Sequence, residues 1–404
     1  MRKGSRRILL AVVLVGGLLA GLAWWKGVAA PGAPANAAPP PAQTAAAPKA
    51  EAAAFTPGRA QPYHGAAIPA PSAREQRCEA ARRARLRAEL ATIRSEASAS
   101  AALDHALLAD AIGFPEPGAG PQAWKIGRVA SARRWQAARK RWPDDLDIAW
   151  FAAMHCDPED DCDRTASARH LLALDGHNVV AWLVALQDAQ LRHDPDAYWR
   201  LLHQAAREAR FSDSRSGTVY LHMKPLLVGT STPECVGSAN MQSLEGELGR
   251  TATAEDLAAI EAFGMELAAG MPSYSVLSEC KPERAALSSE RWADCTAVLG
   301  RLADGETMIE HGIGLTLLIP LLGDGPGGAA ARERYREFRW LYEANTRLPP
   351  THDVMDAIWA QGEVALLRQR AQAAGLWPPP RGWLPPDARG RALILHGRPP
   401  PDPR

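Results

Sequence analysis

Hydrophobic and polar positions along the chain recur on the rhythm of helices, not of strands. Residues 8–25 form a continuous run of uncharged apolar or glycine positions, long enough at 1.5 Å per residue to span about 27 Å, close to a hydrocarbon core. Between Arg74 and Leu107 the apolar Cys78, Leu86, Leu90, Ile93 and Ala97 keep a mostly three-to-four residue spacing, which predicts a helix with one apolar face. The same pattern predicts helices over 254–269, 286–302, 307–322, 329–345 and 351–374. Thr253 ahead of Asp256, and Thr351 ahead of a proline-free run, mark capped starts. Residues 312–322 are apolar but too short to cross a membrane and contain Pro320, so they read as buried core. No stretch shows a convincing strand alternation.

Two segments match at an offset of 32 residues. Each has a polar turn, then Ala-Trp opening an apolar helix: Ala149-Trp150 within 143–154 and Ala181-Trp182 within 175–186. Each is followed by a second amphipathic helix, marked by Ala168, Leu171 and Leu172 in the first unit and by Tyr198, Leu201, Leu202 and Ala205 in the second. This resembles the tetratricopeptide helix-turn-helix family over about two units, near 143–210. The resemblance implies that Trp150 and Trp182 pack each helix on its partner and that the domain presents a surface to a protein or peptide. CDPEDDC and HDPD stand where the family places a turn glycine. The predicted fold class is therefore all-α: an irregular α-solenoid of helix pairs after one N-terminal transmembrane helix.

Composition divides the 404 residues further. The net charge of +1 is an average: residues 1–72 carry seven cations and one acid, while the remainder holds 39 basic against 44 acidic side chains. Ten prolines fall in 27–72 and nine in 377–404. The expected organisation is a cytoplasmic segment and signal anchor over 1–26, an Ala/Pro-rich linker over 27–73, a helical domain over 74–376, and a Pro-rich disordered tail over 377–404. Arg2, Lys3, Arg6 and Arg7 before the apolar run place the N-terminus in the cytoplasm, and Trp24, Trp25 and Lys26 suit the far interface. Single-pass anchoring in a bacterial inner membrane through residues 8–25, with the body in the periplasm, is preferred to signal-peptide cleavage, since Pro31 blocks a cut after Ala29-Ala30. The Arg82, Arg83, Arg85 and Arg87 run reads as a solvated helix face, and nucleic acid is not an expected partner.

Six cysteines in an exported chain suggest disulfides. Cys156 and Cys162 flank an acidic turn between paired helices; Cys280 and Cys295 suit adjacent helices; Cys78 and Cys235 remain as a long-range pair. The competing reading of His155, Cys156, Cys162 and His170 is a zinc site, but the five-residue gap exceeds the usual ligand spacing and export favours oxidation.

There is no HExxH or Gly-x-Ser-x-Gly, and no cofactor, metal or catalytic residue is assigned. The 323–328 glycine-rich stretch lacks the Lys-Ser/Thr of a phosphate loop and reads as an inter-helix turn. Glu310-His311 and His352-Asp353 are sequence neighbours, which diverge on a helix, so surface or capping roles are preferred to acid–base dyads. Trp199, Trp292, Trp340 and Trp359 join Trp150 and Trp182 as packing residues. The leading expectation is a membrane-anchored periplasmic scaffold for an unknown protein or peptide partner. The alternative is a cell-envelope hydrolase whose site is assembled from distant residues.

Overall fold

The computed structural model describes residues 72–400, apart from 114–119, 157–161, 216, 237, 270, 283–287 and 349–351. The anchor expected at 8–25 and nearly all of the expected linker lie outside the described residues. Among those described, no helix is long and apolar enough to cross a membrane.

The described chain is all-α, with no β-strand beyond one isolated bridge between Asn178 and Phe211. Its helices are α1 (Ala73–Thr92), α2 (Ala99–Gly113), α3 (Pro121–Arg141), α4 (Leu146–Met154), α5 (Arg164–Asp175), α6 (Val179–Leu191), α7 (Pro195–Glu208) and α8 (Gly217–Val228). There follow α9 (Ser238–Leu248), α10 (Ala254–Ala269), α11 (Ser289–Ala303), α12 (Met308–Leu322), α13 (Pro326–Asn345), α14 (His352–Gln361), α15 (Glu363–Ala373) and α16 (Ala388–His396).

Short polar side chains set many of the starts by accepting from the first free amides. In the two repeat-like units Asp145 accepts from Ile148 N, Asp163 from Ala166 N, Asn178 from Val180 N and Asp194 from Ala197 N. Asp194 belongs to the HDPD turn, and Asp163 directly follows CDPEDDC. Thr253 and Asp256 cap α10 reciprocally, and Thr307 with Glu310 forms a capping box at α12.

From α1 to α7 each helix packs on the next, and α4–α5 and α6–α7 are the predicted pairs. Trp150 is fully buried and Trp182 nearly so, the latter donating to Gly176 O at 2.8 Å. After α7 the order of neighbours breaks, with α8 lying on α10 and returning to α2 and α11 packing on α7, and sequential packing resumes from α11 through α12 to α13. One continuous apolar core runs through both parts, and a smaller cluster around Trp340, Leu341 and Ala371 joins α12, α13 and α15.

Several expectations change. The 74–107 run is two helices, because Ser98 accepts from Ala101 N and starts α2 anew. The 351–374 run is also two, split at Gly362, whose φ of +82° no helix accommodates. Thr351 itself lies outside the described residues. The tail expected to be disordered is folded from 377 to 400: Asp387 caps α16, Leu393 is fully buried, and Trp383 meets Trp340 edge-on at 5.0 Å.

All six cysteines are paired. Cys78–Cys235 ties α1 to the turn after α8, Cys156–Cys162 ties the end of α4 to the start of α5, and Cys280–Cys295 ties the turn after α10 to α11.

Candidate binding surface

The thiolates that a zinc site would need are consumed by the Cys156–Cys162 disulfide. His155 Nδ1 lies 3.3 Å from Ser131 Oγ, and His170 Nε2 meets Pro143 O at 2.7 Å, so the two imidazoles serve separate contacts. Among the described residues no three His, Cys, Asp or Glu side chains gather as a metal site. Gly323 takes φ +59° at the end of α12, and a Cβ on Gly328 would strike Gly323 O, so the glycine-rich stretch is a tight turn. The side chains of His352 and Asp353 lie outside the described residues.

Glu310 and His311 are buried, not surface residues. Glu310 closes the α12 capping box, and burial pushes its carboxyl up to about 7. His311 sits against Phe338 at 5.7 Å, and burial together with the Arg334 and Arg368 charges pushes it down to about 4. Glu266 Oε2 accepts from Tyr220 N at 3.1 Å, capping α8 from α10, while its Oε1, Ser212 Oγ and Tyr274 Oη have no partner among the described residues. Burial and Asp213 raise the Glu266 carboxyl well above its ordinary range. Glu266 and Glu310 have no exposed surface through which a substrate would reach them.

Sequence reasoning missed two histidine–aspartate pairs, because their members are far apart in the chain. His222 Nδ1 meets Asp104 Oδ1 at 2.6 Å and His203 Nδ1 meets Asp294 Oδ2 at 3.1 Å. Each joins two helices, α8 to α2 and α7 to α11. Ser131, the serine beside His155, is 1% exposed and donates to Asp110, which rules it out as an accessible nucleophile.

The accessible feature is α3. Its inward face is Gly127, Ser131, Ala132 and Trp135. Small residues dominate there, so apolar periodicity does not reveal this helix. Asp110 of α2 holds it, accepting from Ser131 Oγ at 2.8 Å and Trp135 Nε1 at 2.9 Å and pairing with Arg134. Trp135 then stacks on Phe151 of α4 at 4.9 Å. The helix carries seven cations and no acid, a signal plain in the sequence. On its outer side Gln122, Lys125, Ile126, Val129, Ala130 and Arg133 line an open depression of about 470 Å³ along one face of the helix. Ile126 is 62% exposed, a little more than Leu221 of α8 at 57% and Leu395 of α16 at 55%. Farther along, a second depression lies between Arg139, Lys140 and His170. The surface can hold a ligand by apolar contact and charge; it brings together no group for chemistry.

Comparisons with protein-family models, with curated proteins and with solved structures find no match to this chain.

Proposed function

We propose that this protein is a membrane-anchored periplasmic scaffold of helical repeats that binds a protein or peptide partner, with the outer face of α3 as its binding surface. The observation that carries this reading is the contrast between the open depression beside Ile126 and the burial of Glu266, Glu310 and His311. The apolar run at 8–25 behind four cations, together with the oxidation of all six cysteines, supports a body outside the cytoplasm. The α4–α5 and α6–α7 pairs, with buried Trp150 and Trp182, support two tetratricopeptide-like units within a longer irregular solenoid. The envelope-hydrolase alternative draws nothing from His311, which is too buried to meet a substrate.

Reversible crosslinking in native envelopes, followed by isolation of the full-length chain, tests the proposal. A specific protein should co-purify with the wild type, and its recovery should fall about tenfold when Ile126→Ser and Lys140→Glu are combined. Equal recovery with the variant, or none with the wild type, contradicts the reading.

A further inference from the structure

We propose that α1 is a redox-gated strap: the Cys78–Cys235 disulfide clamps it to the body, and reduction of that bond to two thiols releases it and lengthens the linker ahead of it. The inference goes beyond the scaffold reading and does not depend on a partner at α3.

Apolar contact holds α1 weakly. Of its 20 residues Leu86 alone is buried among those described, with Leu90 and, just past the helix end, Ile93 half-buried against the same core. By contrast α6, with 13 residues, buries ten. Arg82 of α1 pairs with Glu261 of α10, but both side chains keep about a quarter to a third of their surface in solvent, which screens the pair. Arg85 donates to Thr230 O at 3.2 Å. Ordering a helix of this length costs conformational entropy that one buried leucine and a screened ion pair offset poorly. The disulfide supplies a second tether to the seat of α1. It closes a separation of 157 residues, the largest of the three bonds, and so withdraws the most freedom from the detached state.

Exposure and position distinguish this bond from the other two. Cys156, Cys162, Cys280 and Cys295 are at most 8% exposed, whereas Cys78 and Cys235 are both half-buried, within reach of a thiol reagent. Cys78 also stands in the second turn of the helix into which the expected linker leads. Clamped, the linker ends at Cys78. Released, it gains residues 79–98 and ends at Ala99, where α2 begins; at helical rise those residues add about 30 Å of reach.

The electron donor is a dithiol. One of its thiolates attacks the sulfur of Cys78 or Cys235, the S–S bond breaks, and the departing sulfur takes up a proton. The donor's second thiolate then attacks the mixed disulfide and expels the other cysteine as a thiol. Two electrons and two protons pass to Cys78 and Cys235, and the donor leaves as a disulfide.

Hydrogen exchange and thiol alkylation of the full-length protein, both read by mass spectrometry as dithiothreitol is raised under native conditions, test the strap. Cys78 and Cys235 should become alkylated about tenfold sooner than the other four cysteines. Amide exchange over 73–92 should then quicken about tenfold while α4 to α7 keep their rates. Cys78→Ser with Cys235→Ser should show the same fast exchange without reductant, and reoxidising the reduced wild type should restore the slow exchange. The wild-type arm decides the matter even where the variant fails to fold. Reduction of all three bonds together, or of another bond first, overturns the inference. So does unchanged exchange over 73–92 once Cys78 and Cys235 are free, or faster exchange across the whole body.

Discussion

Glu310 and His311 occupy successive positions of α12, and burial drives their ionisation in opposite directions. The Glu310 carboxyl, pushed up to about 7, favours the fold in its protonated form, so its contribution declines as pH rises from about 4.5 to about 7. His311, pushed down to about 4, favours the fold in its neutral form, so its contribution declines as pH falls from about 6.5 to about 4. Between pH 4.5 and 6.5 the two slopes oppose each other. Glu310→Gln, which keeps the capping box, should leave stability rising with pH across that window; His311→Gln should leave it falling. Urea denaturation at pH 5 and pH 6.5 reads both, with differences of about 2 kcal/mol expected. Equal slopes in the two variants would contradict the assignment. Asp110 offers a second test at this scale. Asp110→Ala leaves Trp135 Nε1 without its acceptor and breaks the Arg134 pair, and should cost about 3–5 kcal/mol in the same measurement.

At the scale of elements, close packing and covalent ties decide which changes matter. Gly314 of α12 lies where a Cβ would stand 2.7 Å from the carbonyl carbon of Leu302, at the crossing with α11. Gly314→Ala should therefore destabilise by about 2 kcal/mol despite alanine's better helix propensity, whereas Gly300→Ala, with open space around it, should stabilise by about 0.5–1 kcal/mol. Thermal melts of the two variants should move in opposite directions. The disulfides differ as well. Cys78–Cys235 closes a separation of 157 residues and Cys156–Cys162 one of 6. On loop entropy their removal should cost about 5 and about 2 kcal/mol respectively, so the Cys78→Ser, Cys235→Ser pair should unfold at clearly lower urea.

The elements were legible where apolar rhythm and cap residues agreed, as at Thr253 with Asp256 or around Trp150 and Trp182. They were not legible where one of the two was silent. Ser98 starts α2 within an unbroken rhythm, and Gly362 breaks another without any change of composition. The 377–400 tail looked disordered by proline content, yet Asp387 caps a helix whose Leu393 reaches the core. The candidate surface was hidden for a related reason. The inner face of α3 uses small residues, and the run of cations, taken alone, reads as ordinary solvation. What distinguishes it is Ile126 lying exposed between Lys125 and Arg133, which requires the fold.

For the whole molecule, the proposed function places a disulfide-stapled helical body on a membrane anchor, with α3 as its recognition helix. Export predicts that alkylation of the protein taken from cells modifies no cysteine until a reductant is added; free thiols before reduction would argue against a periplasmic body. The central claim concerns α3. A photoreactive amino acid substituted in living cells for Ile126, for Lys140, or for Leu395, which is exposed on the separate helix α16, tests it residue by residue. The account predicts one and the same protein adduct at positions 126 and 140 and its absence at 395. No adduct at 126 and 140, or an identical adduct at all three, would contradict it.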